Sequence, residues 1–303
     1  MRPNHGYAIS TIDGTPIFYR VAGGNIDRST GHETDELPVV LCDGIGCSGF
    51  IWKHLREPLG RNRRVISWHY RGHGRSPHPK DESRVGITDL ADDLACVLDE
   101  LNIDEAILIG HSMGVQVALE FLRRHRYRCK GLVLMCGAAS EPLKTFKGSN
   151  ILEVALPALQ KTIGKAPGIF RGLGRALLPR DFAYRIGAKL EFEEEFLSKQ
   201  DFMPYLKGLA QMDPILFLAM LSDMGEHSCE DILADIRIPT LLIGGQLDTF
   251  TPADRTREMA LHIPGSELCI VDKGTHSTPL EHPDVVGQVT CDFLARLPAA
   301  INP

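Results

Sequence analysis

The chain alternates short, near-continuous apolar runs with stretches in which apolar residues recur every three or four positions. Pro38-Val39-Val40-Leu41-Cys42, Arg64-Val65-Ile66-Ser67-Trp68, Ala106-Ile107-Leu108-Ile109, Gly131-Leu132-Val133-Leu134-Met135, Thr240-Leu241-Leu242-Ile243-Gly244 and Glu267-Leu268-Cys269-Ile270-Val271 read as strands. Runs without polar alternation suit strands buried on both faces, as in a parallel sheet covered by helices. From Ile87 to Leu101 the apolar positions are 87, 90, 94, 97, 98 and 101, the spacing of an amphipathic helix. Further helices are predicted from about Met113 to His125, Ala253 to His262 and Pro283 to Leu297. Tyr7 to Ile12 and Thr15 to Val21 flank Asp13-Gly14, a hairpin signal, and the polar stretch Gly23 to Leu37 reads as a loop.

The strand–helix rhythm stops near Ser140 and resumes at Thr240. Residues 141–231 show helical patterns but no strand, which predicts one α/β core, residues 1–140 and 232–303, interrupted by a helical cap over 141–231. Two segments of that insertion, Ile151 to Leu156 and Ile215 to Leu221, are apolar enough to require burial, part of it against a pocket. Glycines 164, 168, 172 and 174 fit either a deformable lid or a simple loop.

Composition narrows the class. With 43% hydrophobic and 24% charged residues in 303, the chain is neither disordered nor fibrous. No apolar run approaches the roughly 18 residues a membrane span needs, and the polar start Met1-Arg2-Pro3-Asn4-His5-Gly6 lacks a signal-peptide core. A cytoplasmic protein without stable membrane insertion is the expectation. A net charge of −6 argues against nucleic acid as a partner. Locally the sign reverses: residues 141–190 hold nine Lys or Arg against three acids, enough to steer an anionic substrate or simply to solvate a helix face. The eight cysteines form no C-x-x-C pair and several sit inside apolar runs, so they are expected to be reduced, buried and chemically idle. Nothing calls for a homo-oligomer.

One motif stands where chemistry needs it. Gly110-His111-Ser112-Met113-Gly114 directly follows a predicted strand and opens a helix. G-x-S-x-G in that setting puts the serine on a tight turn with its Oγ off the sheet, and its flanking glycines let the backbone double back. At a helix N-terminus, free N–H groups also favour developing negative charge. A serine hydroxyl needs a base, and the base needs an orienting group. Asp248 and His276 each lie just past the C-terminal end of a predicted strand, and the order Ser…Asp…His is that of a triad on an open α/β sheet. Backbone N–H groups of Ile45 and Met113 are assigned to the oxyanion hole, although Gly46 could replace Ile45 in the loop Cys42-Asp43-Gly44-Ile45-Gly46-Cys47.

With these residues the sequence resembles the α/β-hydrolases with a helical cap, in their serine esterase and lipase branch. The resemblance rests on Gly110-His111-Ser112-Met113-Gly114, Gly245-Gln246-Leu247-Asp248 and Gly274-Thr275-His276, with Pro279-Leu280-Glu281-His282-Pro283 beyond. Arg71-Gly72-His73-Gly74-Arg75-Ser76 is a further hallmark, and Trp52 falls where many members keep an aromatic. It implies an eight-stranded, mostly parallel sheet and hydrolysis without cofactor or metal. The reactants expected are water and a small-molecule ester of a small to medium hydrophobic acyl group, cleaved through an acyl-enzyme. Alternatives are a carbon–carbon bond hydrolase or enol-lactonase, then a thioesterase or a non-catalytic receptor. An Asp nucleophile, as in haloalkane dehalogenases, is excluded by Ser112. Two positions depart from the family pattern: Asp43 stands where His is usual, and His69 where Asp is usual. An exchange of acid and histidine that preserves their contact is expected.

Overall fold

A computed structural model describes residues 4–24, 36–144, 149–185 and 198–297. Its centre is an eight-stranded sheet: β1 (His5–Ile9), β2 (Pro16–Gly23), β3 (Val39–Cys42), β4 (Arg64–Trp68), β5 (Ala106–His111), β6 (Cys129–Met135), β7 (Thr240–Gly245) and β8 (Glu267–Val271), ordered β1-β2-β4-β3-β5-β6-β7-β8. β1, β2 and β4 pair antiparallel, and every pairing from β4 through β3 to β8 is parallel. The Asp13-Gly14 turn joins β1 to β2 as the hairpin pattern required. Of the polar stretch 23–37, residues 25–35 lie outside the described residues.

β3, β5 and β7 are buried along their whole length, which is why their sequences run apolar without alternation. Helices α1 (Arg56–Gly60), α2 (Ile87–Glu100) and α3 (Met113–Arg124) pack on the sheet, and after β6 come α4 (Ile151–Lys165), α5 (Pro167–Leu177), α6 (Lys199–Gln211), α7 (Pro214–Glu226) and α8 (Glu230–Leu233). The core resumes with α9 (Ala253–His262), α10 (Thr278–Glu281) and α11 (Pro283–Ala295). One apolar cluster on α2 and α3 packs one face of the sheet, and a second around Trp52, Leu55 and Phe293 packs the other.

Between β6 and β7 no strand occurs among the described residues, apart from an isolated bridge joining Ser140 to Ser228. The α7 stretch is buried at Leu216, Leu218 and Met220 and partly buried at Phe217, Ala219 and Leu221, whereas Ile215 is exposed. The start of α4 is not: Leu156 is buried, but Ile151 and Val154 are 62% and 67% exposed. Leu152 and Leu156, one turn apart, take the inward face, so Ile151 and Val154 point the other way. Gly164 lies in α4, and Gly168, Gly172 and Gly174 in α5, so these glycines form no loop. All eight cysteines are free thiols and six are buried.

Candidate active site

β5 ends two residues beyond its apolar run because Gly110 and His111 still pair with Leu134 and Met135 of β6. The chain then reverses at Ser112 (φ 55°, ψ −122°) into α3. A non-glycine residue there is strained by about 1–3 kcal/mol. The turn is held by Ser112 N–H donating to the Met135 carbonyl (3.0 Å) and Val115 N–H to the Ser112 carbonyl (2.9 Å). It fits only because residues 110 and 114 lack a Cβ. One on Gly110 would lie 2.3 Å from the Gly114 carbonyl oxygen, and one on Gly114 2.1 Å from that of Cys42.

Asp248 and His276 come from the loops after β7 and β8. Those loops are laced by Gln246 N–H to the Val271 carbonyl (3.0 Å) and Leu247 N–H to the Gly274 carbonyl (2.8 Å). His276 Nε2 lies 2.9 Å from Ser112 Oγ, and His276 Nδ1 lies 3.0 Å from Asp248 Oδ2. The Asp248 carboxylate is buried and fully engaged. Its Oδ1 accepts from the N–H groups of Phe250 (2.8 Å) and Thr251 (2.9 Å), and its Oδ2 from Thr251 Oγ1 (2.9 Å). His111 Nε2 donates to the His276 carbonyl at 2.8 Å, fixing the backbone that carries the ring. Burial holds the His111 ring neutral, its pKa lowered to about 3, so its Nδ1 carries a lone pair.

The three residues predicted from strand-end positions are therefore brought together. The Gly46 alternative for the oxyanion position meets an obstacle. Gly46 N–H donates to His73 Nε2 at 3.0 Å, while His73 Nδ1 faces the Arg71 carbonyl at 3.1 Å. Burial lowers the His73 pKa to about 4, keeping Nε2 an acceptor. The N–H groups of Ile45 and Met113 take no such partner among the described residues.

The family model described as the alpha/beta hydrolase fold matches residues 38–283. This chain belongs to the α/β-hydrolase family. Among curated relatives, the protein named as the carbamate hydrolase RutD in Caulobacter sp. (strain K31) is 26% identical over 286 residues, covering 94% of this chain and 97% of its own. Among solved structures, a thermophilic esterase from Thermogutta terrifontis is 25% identical with a TM-score of 0.75, covering 97% of this chain and 99% of its own. The enol-lactonase from Burkholderia xenovorans LB400 shares the fold at 24% identity and a TM-score of 0.72, covering 96% of this chain and all of its own (100%).

In this hydrolase a cavity of about 360 Å³ opens over Ser112 and His276. Its wall combines core residues such as Ile51, Met113 and Phe250 with Leu152, Tyr205, Leu209 and Phe217 from the helices between β6 and β7. Among the described residues no lysine or arginine lines it, and Lys161, Lys165, Arg171, Arg175 and Arg180 are exposed, so these five solvate helix faces.

The expected Asp43–His69 contact is not formed. Asp43 Oδ1 accepts from Trp52 Nε1 at 2.6 Å, and Tyr70 Oη donates to the Asp43 carbonyl at 2.7 Å. His69 Nδ1 instead accepts the Arg75 N–H at 2.9 Å, and its ring packs on Phe18, 4.8 Å between centroids. Each side chain finds a partner within its own loop region, so no exchange across neighbouring strands is needed. Sequence reasoning also gave no role to Thr251, His111 and His73, which hold the Asp248 carboxylate, the His276 carbonyl and the Gly46 N–H. His111 and His73 were legible in principle, standing inside the G-x-S-x-G motif and the Arg71–Ser76 hallmark; Thr251 carries no local signal.

Proposed function

We propose that the protein is a serine hydrolase of carboxylic esters with small to medium apolar acyl groups, working through an acyl-enzyme. The observation that carries this reading is the unbroken chain Ser112 Oγ–His276–Asp248, at 2.9 and 3.0 Å, opening on an apolar cavity. His276 Nε2 takes the Ser112 proton as Oγ attacks the ester carbonyl, and Asp248 stabilises the imidazolium that forms. The backbone N–H groups of Ile45 and Met113 receive the oxyanion, Gly46 being engaged by His73. His276 then protonates the leaving alcohol, and in the second half activates water to release the acid. No cofactor or metal enters this scheme.

In this reading the helices of 141–231 serve as a cap that supplies the acyl pocket. The size and apolar lining of the cavity favour a carbon-rich acyl group over a small polar carbamate. A lactone is an intramolecular ester and fits the same machinery. A panel of p-nitrophenyl esters of rising chain length, with lactones and a carbamate, tests the assignment against Ser112→Ala. Loss of at least about a thousandfold in kcat is expected in the variant. Equal rates for the two proteins overturn the serine mechanism, and activity confined to the carbamate overturns the substrate class.

A further inference from the structure

Gln116 lies one turn beyond Ser112 on α3, so its side chain sits on the same helix face, about 6 Å along the axis. It is 1% exposed and lines the cavity. Its Nε2 donates to two carbonyls at the end of α7, those of Met224 (3.0 Å) and His227 (3.2 Å). Two carbonyl acceptors fix the amide orientation, because the flipped form would set Oε1 against both oxygens. Oε1 is thereby left as an acceptor, and among the described residues it has no partner. Leaving a buried polar atom without a partner is destabilising, and a ligand donor would relieve that cost. The other unpartnered acceptor in this wall, His111 Nδ1, is set against the oxyanion loop, where a Cβ on Gly44 would lie 3.3 Å from it. Of these two, Gln116 Oε1 is the side-chain acceptor left free beside the cavity; it shows almost no surface of its own, so a donor reaches it once the wall side chains shift slightly.

We infer that Gln116 determines specificity by accepting a hydrogen bond from the substrate, whose acyl chain carries an amide N–H or a hydroxyl a few bonds beyond the reacting carbonyl. This rests on the hydrolase reading above and narrows its substrate class from apolar acyl esters to acyl esters with one internal donor. The rest of the chain is met by apolar wall, Leu152, Phe217, Leu221 and Met224 among it. An ester lacking the donor binds in the same cavity but leaves Oε1 unpaired, in its ground state and transition state alike.

The test uses the whole protein and matched pairs of p-nitrophenyl esters. The acids are N-acetyl-β-alanine and N-acetyl-4-aminobutyrate, each beside the ketone in which CH2 replaces N–H, and 3-hydroxybutyrate beside butyrate. The wild type is expected to favour at least one donor-bearing member in kcat/KM on the order of tenfold after correction for the Ser112→Ala rate. In Gln116→Met, which keeps the bulk but removes the acceptor, that ratio collapses towards one. A wild-type ratio at or below one for every pair overturns the inference without reference to any variant. So does a ratio that survives in Gln116→Met. Hydrolysis of neither member above the Ser112→Ala rate is a separate outcome: it overturns the hydrolase reading and this inference with it.

Discussion

Asp43 is 3% exposed, and burial lifts its pKa from 3.8 to about 7 although Trp52 Nε1 donates to it and the Arg56 charge lies nearby. A carboxyl whose folded pKa is raised binds more protons when folded than when unfolded. Stability therefore falls as pH rises from about 4 to about 7, and levels off above. The slope from this one group is at most about 1.4 kcal/mol per pH unit. Asp43→Asn keeps an oxygen for Trp52 but cannot ionise. Urea midpoints measured from pH 4 to 8 should decline in the wild type relative to the variant; parallel curves would refute the assignment. The carboxyl itself was visible in the sequence as a departure from the family pattern. Its partner was not, since Trp52 reaches it by a turn that no local pattern reports.

At the level of elements, α3 and the turn before it carry most of the site. Helix propensity alone favours Gly114→Ala by about 1 kcal/mol. The tertiary contact reverses the sign, because the new Cβ would lie 2.1 Å from the Cys42 carbonyl oxygen, a backbone atom that cannot step aside. The variant should lose stability by more than about 1–3 kcal/mol, read as a lowered denaturation midpoint, with activity falling as the turn shifts. A midpoint raised by the alanine would show that strand β3 is not packed against this turn. Strands were legible here because burial on both faces leaves no polar alternation. Their ends were less so: β5 runs on through Gly110 and His111, whose backbone pairs with β6 although neither residue continues the apolar run. In α4 the apolar run Ile151 to Leu156 promised burial of the whole stretch, and helical geometry turned half of it outward.

Over the whole molecule, the cavity is a joint product of two sequence-distant parts. Phe217 and Tyr205 from the helices after β6 approach the loop after β3 closely enough that a Cβ on Gly46 would lie 3.6 and 3.2 Å from them. Phe217→Ala should enlarge the acyl end and move the preferred chain length upward. The expected reading is a fall in kcat/KM of about tenfold for short esters and a smaller loss, or a gain, for long ones. An unchanged chain-length profile would remove Phe217 from the pocket wall. The eight-stranded α/β architecture, the strand-end origin of Ser112, Asp248 and His276, and the helical nature of the segment after β6 were determined by the sequence, because burial period and turn chemistry are local properties of the chain. The three-dimensional arrangement decided what depends on distance between remote residues. It brought His276 to 2.9 Å from Ser112 and 3.0 Å from Asp248, committed Gly46 to His73, and separated Asp43 from His69. It also left Gln116 Oε1 buried in the cavity wall without a donor. None of these follows from a periodicity, since each is set by how loops and elements pack, at separations from 6 residues for His69 and Arg75 to 164 for Ser112 and His276.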